Sequence, residues 1–350
     1  MKFQRQTVRI ADALRPRGTT VALKADEVSR HAVRLVVVDR ARTRVRVVPF
    51  GELATLLRAG DLVVVNDAAT LPASLFGTTA RGERFELRLS APVEGSRLYG
   101  VLLGDGDYST RTEDRSPPPR IVVGERLCVG TIDAVVEELA GRRITLVAAL
   151  PSDELWQAIY AAGAPVQYAH RADPLPLYAV QTAYAARPWA VEMPSAGRAL
   201  TWDVLLGLRR AGVQLATLTH AAGLSSTGDD ALDRALPWPE RYELPAATLH
   251  AIRATRERAG RVIAIGTTVV RALESAALEA ESRESPLDLA AGSGIATLRL
   301  GPSYRPRVID GLVSGLHVPG ESHFELLSAF APRALLVRAI ALAAQQGLSG

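Results

Sequence analysis

The chain has 350 residues, 48% hydrophobic and 22% charged, with 41 basic against 37 acidic side chains and a net charge of +4. That length can bury one large core or two smaller ones, and the composition excludes wholesale disorder. The mild charge neither establishes nor excludes RNA binding, and a single cysteine, Cys128, excludes an intrachain disulfide and any multi-cysteine metal cluster.

The start of the chain lacks the apolar core of a signal peptide. No apolar run reaches the roughly 18 residues that a membrane span needs. The best, at 334–344, is broken by Arg338. The cytoplasm is the expected location, with no membrane partner. The basic residues are arginines except for Lys2 and Lys24, and arginine grips phosphate and carboxylate in a bidentate fork. The histidines form neither a His-x3-His pair nor an HExxH motif, so no metal site is expected.

In chain order, Leu35-Val-Val-Val38 and Leu62-Val-Val-Val65 are short, mostly β-branched runs bounded by charge or Asn, which predicts fully buried strands. The second run continues into Asn66-Asp67. Polar residues after a buried strand in an α/β sheet sit at the edge where ligands bind, so this pair could grip a ribose or an amino group. It could equally close an Asx turn.

From about residue 75 to residue 150 the pattern changes. Short stretches at 85–89, 97–103, 121–123, 134–139 and 143–147 are separated by turns such as Gly104-Asp-Gly-Asp107 and Ser116-Pro-Pro-Pro119, with no long helix among them. That spacing predicts an antiparallel barrel or sandwich. The remainder alternates strand and helix, with helices at 204–211, 269–278 and 332–344, the last with a proline at a tolerated first position. The predicted fold is α/β: a larger discontinuous domain (1–74 and 152–350) with a small β domain (75–151) inserted.

Val262-Ile-Ala-Ile265 predicts a third buried strand, running into Gly266-Thr267-Thr268 and a helix. Glycine permits the turn, a threonine hydroxyl can cap the helix, and the free N–H groups at its start attract a carboxylate or phosphate. Arg271 and Glu274 follow one turn apart. The plainer reading makes them a surface pair on a capped helix. A loop is expected at 281–293. Finally, Asp310-Gly-Leu-Val-Ser-Gly-Leu-His317-Val-Pro319, then Glu321-Ser-His323, puts a loop histidine between apolar residues, either a general base or a packed side chain.

Taken together and in order, these stretches resemble the S-adenosylmethionine:tRNA ribosyltransferase-isomerases of queuosine biosynthesis. The likeness rests on Ala32-Val-Arg-Leu-Val-Val-Val-Asp-Arg40, on residues 60–67, on Val180-Gln181-Thr-Ala-Tyr184-Ala and on Met193-Pro-Ser-Ala-Gly197. It continues through Leu218-Thr-His220, the nearly intact Gly-Thr-Thr-x-x-Arg-x-Leu-Glu-Ser at 266–275, and the stretch from Asp310 to Phe330. The resemblance covers nearly the whole chain and implies an α/β domain carrying an inserted antiparallel β-barrel. It also implies that S-adenosylmethionine, used as a substrate without a metal, donates its ribosyl group to the aminomethyl group of 7-aminomethyl-7-deazaguanine in tRNA. A base removes a proton beside the sulfonium, adenine and methionine leave, and epoxyqueuosine results. On that basis Gly266, Thr267, Thr268 and Arg271 are expected to cradle the methionine carboxylate, with Asn66 and Asp67 also at the cofactor. His220, His317, Glu240 and Asp310 are the catalytic candidates.

The chain departs from the family pattern in places. Two arginines expected after Asn66-Asp67 are replaced, the second by Ser74. Leu-His-Phe-Thr becomes Arg198-Ala199-Leu200-Thr201, and His-x-Met-His-Ser-Glu becomes Ala235-Leu-Pro-Trp238-Pro-Glu240, where only the glutamate remains. Such groups hold RNA phosphates or move protons. Their loss opens two alternatives: a paralogue acting on a small-molecule acceptor, or an inactive binding protein.

Overall fold

A computed structural model describes residues 33–168, 173–281 and 289–348. The first 32 residues of the expected α/β domain, His31 and His170, and positions 282–288 of the expected loop lie outside the described residues.

The chain opens on a hairpin, β1 (Arg34–Asp39) and β2 (Arg44–Pro49), followed by α1 (Leu53–Leu56), β3 (Leu62–Asn66) and β4 (Ala68–Thr70). Then come β5 (Ser74–Thr79), β6 (Arg84–Leu89), β7 (Arg97–Leu103), β8 (Arg126–Val129), β9 (Ile132–Ala140) and β10 (Arg143–Ala148). After them run α2 (Ser152–Ala162), α3 (Leu177–Val180), β11 (Arg187–Ala190), α4 (Trp202–Arg210), β12 (Gln214–His220), α5 (Asp230–Ala235), β13 (Glu240–Leu244) and α6 (Ala246–Glu257). The rest is β14 (Val262–Ile265), α7 (Thr267–Glu281), β15 (Gly292–Ala296), β16 (Gly311–Val313), α8 (Ser322–Leu327) and α9 (Arg333–Gln345).

The main sheet has the order β15-β13-β12-β3-β14-β16. Strands β12, β3, β14 and β16 are parallel, and β13 and β15 add an antiparallel flank. The side chains of β3 explain its unbroken apolar sequence. Leu62 and Val64 enter the core beneath α6 and α7, while Val63 and Val65 enter the core on the opposite face with α4. Successive strand residues point to opposite faces, so a strand covered on both must be apolar throughout. All four are fully buried, and each such burial contributes about 1.5–3 kcal/mol.

The expectation for 35–38 needs correction. This strand is only half-buried and pairs with β2 alone, with α9 packed on the hairpin, so it is not part of the main sheet. Proline 332 is the N-cap of α9 rather than its first helical residue. Gly292 and Ser293, expected in a loop, open β15.

Strands β5 to β10 close into a six-stranded barrel, in the order β10-β7-β6-β5-β8-β9. Phe85, Leu87 and Leu89 fill it from β6. Gly77 on β5 is there for space, since a Cβ would stand 2.5 Å from the Phe85 ring and 2.7 Å from the Cys128 carbonyl. Two barrel strands, β5 and β8, are absent from the sequence expectation. The expected strand at 121–123 does not form, and Val122 and Val123 are exposed. The other face of β6 is also buried: Glu86 accepts hydrogen bonds from Ser74 (2.6 Å) and Arg88 (2.8 Å) and pairs with Arg115. Arg88 in turn donates to Thr112 at 3.1 Å. These charges seal the barrel against the segments that follow it.

Candidate functional site

Parallel strands in an open α/β sheet present their carboxyl ends to ligands. Here those ends border a cavity of about 1830 Å³. Asn66 closes β3, Gly266 follows β14 and Ser314 follows β16, and all three line it. The start of α7 opens onto the same space through Thr267 and Thr268.

Gly266 has φ +94° and donates its N–H to the Val313 carbonyl at 2.8 Å, tying β14 to β16. The helix begins at Thr267, so Gly266 rather than a threonine stands at the cap position, which corrects the expectation. The first N–H groups of a helix have no partner within it, and the macrodipole adds positive potential there. Gly266→Ala should cost about 1–3 kcal/mol, chiefly through its backbone angle, because the new Cβ would make only ordinary contacts, with Thr268 Oγ1 at 3.4 Å and Ala196 Cβ at 4.0 Å. Urea unfolding of the variant measures this; an unchanged midpoint would show that the turn relaxes freely.

Arg271 and Glu274 are not a surface pair. Both are buried, and they bond to different partners. Arg271 donates to the carbonyls of Trp238 (3.0 Å), Ala296 (2.8 Å) and Leu298 (3.3 Å), and pairs with Glu240. Burial, then the charge of Arg299, lowers its pKa to about 10, which leaves it charged at neutral pH. With its fork so occupied, Arg271 braces the cavity wall and is a weaker candidate for a carboxylate clamp than the helix start. Glu240 is bound at both oxygens, by Arg271 and by the Gly223 amide at 2.6 Å.

Asn66 lines the cavity, but its amide is spent on the backbone. It accepts from the amides of His220 (2.9 Å) and Ala68 (3.1 Å), and donates to the His220 carbonyl (3.0 Å) and Thr268 Oγ1 (3.4 Å). It locks β3, β12 and α7 together. Asp67 is not among the lining residues and accepts from Thr219 Oγ1 at 2.6 Å. Asp310 borders the cavity with one carboxylate oxygen on the Val262 amide at 2.8 Å.

His220 lies behind the wall, fully buried, with its Nε2 3.5 Å from Glu240 Oε2. Burial, then the charge of Arg271, pushes its pKa from 6.5 down to about 3. Between those values the unfolded chain takes up a proton that the folded protein refuses, so stability falls as pH drops from 6.5 towards 3. Replacing His220 with phenylalanine should flatten this part of the stability–pH curve; an unaltered slope, followed by urea unfolding at several pH values, would assign the acid sensitivity to other groups.

His317 does line the cavity. Its Nδ1 stands 3.3 Å from Glu321 Oε2, and its ring stacks on His323 at 4.7 Å and 21°. Burial and then the charge of His317 lower His323 to about 4, so it is neutral at physiological pH. Burial pushes Glu321 up, but its hydrogen bond to His317 and that ring's charge outweigh this and hold it below its usual value.

A family of queuosine biosynthesis proteins matches residues 19–349. The chain belongs to this family. The S-adenosylmethionine:tRNA ribosyltransferase-isomerase of Trichlorobacter lovleyi is 34% identical over 316 residues, covering 89% of this chain and 87% of its own. That of Gloeobacter violaceus is 35% identical over 318 residues, with 87% and 82% covered. The crystal structure of the S-adenosylmethionine tRNA ribosyltransferase of Thermotoga maritima is 23% identical, covers 94% of this chain and 92% of its own, and superposes with a TM-score of 0.47.

Set against the family pattern, the departures have identifiable surroundings. Ser74, where the family has arginine, bonds to Glu86, which already carries Arg88 and Arg115. Trp238, where it has histidine, lies under the Arg143 guanidinium at 5.0 Å. Arg198, in the altered Leu-His-Phe-Thr segment, lines the cavity and donates to the Ala179 carbonyl at 3.0 Å. Other cavity residues carry no sequence signal at all. Glu192, Tyr168 and Ser225 meet on one wall from three separate segments.

Proposed function

We propose that this chain is an S-adenosylmethionine:tRNA ribosyltransferase-isomerase, transferring the ribosyl group of S-adenosylmethionine to 7-aminomethyl-7-deazaguanine in tRNA and releasing adenine and methionine. The observation that carries this is the meeting of the Gly266 helix start with the His317–Glu321 pair on one cavity at the sheet's carboxyl edge. The cavity exceeds the roughly 300–1,000 Å³ usual for a small ligand, which suits a nucleoside donor together with a flipped-out base.

In this reading the N–H groups from Thr267 onward hold the methionine carboxylate. His317 takes the proton beside the sulfonium, and Asp310 faces the ribose. Asn66, Arg271, Glu240 and His220 keep the wall in shape. We take 75–151 as the inserted domain, a division supported by the barrel strands β5 to β10, and the described residues within 1–74 and 152–350 as the domain that carries the site. Among the described residues no helix is long and apolar enough to cross a membrane; a tRNA substrate supports a cytoplasmic location. Identity of 34% over 87% of a ribosyltransferase-isomerase does not favour a small-molecule acceptor or an inactive protein.

The test is adenine and methionine release from S-adenosylmethionine, with and without tRNA bearing 7-aminomethyl-7-deazaguanine. Release that requires the modified tRNA is the expected result. Calorimetric binding of S-adenosylmethionine without tRNA-dependent release would overturn the acceptor.

A further inference from the structure

One wall of the cavity bears a carboxylate that the fold leaves half used. Glu192 follows β11. Its Oε1 accepts from the Ser225 amide at 2.7 Å, from the Ser225 hydroxyl at 3.2 Å and from the Tyr168 hydroxyl. Its Oε2 has no hydrogen-bond partner among the described residues, and no arginine, lysine or histidine among them lies within ion-pairing distance. Arg88 comes nearest in effect, but it is held on Glu86 at 2.8 Å and lies over the Tyr168 ring at 5.3 Å. Asp233 and Glu240, which line the same cavity, differ. Asp233 accepts from the Thr227 amide (2.7 Å) on one oxygen and Ser226 Oγ (3.3 Å) on the other, and Glu240 is bound at both oxygens.

A carboxylate withdrawn from water is costly without a counter-charge. Burial does raise the Glu192 carboxyl above its usual value. Three donors on one oxygen fix its direction, so that the other is free towards the cavity. A ligand suits that oxygen if it brings both positive charge and N–H donors.

We propose that Glu192 is the acceptor for a primary ammonium group of a substrate, bound through Oε2. This rests on the reaction proposed above, which supplies two such groups: the α-ammonium of the methionine portion of S-adenosylmethionine and the aminomethyl group of the acceptor base. Tyr168 and Ser225 act as positioning residues for the carboxylate.

Calorimetry on the full chain tests this and separates the two sources. Glu192→Gln removes the charge while keeping the shape. If the α-ammonium binds there, the variant loses about tenfold or more in affinity for S-adenosylmethionine but none for 5′-deoxy-5′-methylthioadenosine, which lacks the amino-acid portion. If the aminomethyl group binds there, both nucleosides bind as before and the loss falls on free 7-aminomethyl-7-deazaguanine. Unchanged affinity for all three ligands would overturn the proposal. Should Glu192→Gln melt early, Tyr168→Phe, which removes one donor to Oε1, must show the same ligand pattern at smaller size or the proposal falls. Failure of the proposed function would read differently, as wild-type protein that releases no adenine on modified tRNA.

Discussion

Replacing Glu274 with alanine should lower the stability of this protein by about 4–6 kcal/mol, a large part of the 5–15 kcal/mol typical of a folded protein. The carboxylate is fully buried on α7. Its Oε1 accepts from the amides of Val308 (2.9 Å) and Ile309 (3.0 Å), and its Oε2 from the Arg307 amide (2.8 Å) and the Tyr304 hydroxyl (3.0 Å). Alanine would strand three backbone donors and a hydroxyl. Each buried unsatisfied donor costs about 1–3 kcal/mol, and partial entry of water trims the sum. Glutamine is not a gentle substitute, because its NH₂ would face N–H donors on one side. The segment Glu274 anchors leads directly into Asp310 and β16, so cavity and stability should fail together. Urea unfolding of Glu274→Ala and Glu274→Gln measures the effect. A loss below about 1 kcal/mol would mean that the 304–309 segment is held by other contacts.

The same residue shows where sequence reasoning stops. An Arg and a Glu three residues apart on a helix are ordinarily a solvated pair. That inference assumes a helix with one wet face. α7 instead has buried residues all around it, packed between the main sheet and the 304–309 segment. Nothing local in Val-Val-Arg-Ala-Leu-Glu-Ser-Ala-Ala reveals the second covering layer, since that layer comes from residues about 30 positions downstream. Strands β3 and β14 were legible because burial on both faces leaves a local trace, an unbroken β-branched run. The hairpin strand β1 carries the same trace without that burial. Its apolar side chains stay half-buried, Leu35 resting on the edge of the core around Phe50 and Leu53 and the rest meeting β2, α9 and the cavity, and length alone could not separate the two cases.

The barrel was legible as a region and less so strand by strand. β9 stands out because Ile132, Ala134 and Val136 are buried at every second position. β8 has only Arg-Leu-Cys-Val, and the neighbouring Ile121-Val-Val123 is the more strand-like sequence. Closure decides between them: Leu127 and Val129 point into the barrel while Val122 and Val123 face solvent. In the site, motif spacing located Gly266, Asp310 and His317, which do share one cavity. It could not tell which polar side chains face that space and which are consumed in holding it open. Asn66 and Arg271 carry the family's motifs and spend their donors within the protein, on backbone carbonyls, Thr268 and Glu240, whereas Glu192 belongs to no motif and keeps an oxygen free.

His317→Ala should reduce turnover of the modified tRNA by about 100- to 10,000-fold, the contribution of a positioned general base, with little change in KM. A neutral imidazole can accept a proton only at the nitrogen that carries no hydrogen. Glu321, held ionised beside Nδ1, favours the tautomer with hydrogen on Nδ1 and leaves the Nε2 lone pair free. Nε2 is the atom nearest to where a Cβ on Gly315 would stand, at 3.4 Å, and Gly315 itself lines the cavity. His323, neutral above about pH 4, stacks on the ring without competing for the proton. Glu321→Gln should therefore retain more activity than Glu321→Leu, because a side-chain carbonyl can still accept from Nδ1 while leucine cannot. Since His317 is only half-buried, His317→Ala should melt near the wild-type temperature, so lost turnover would report on chemistry rather than folding. Single-turnover adenine release decides the matter: a rate within about threefold of wild type is too small a change for a general base. That result would remove His317 from the chemistry and leave Asp310, with one oxygen already on Val262, as the acceptor of the proton.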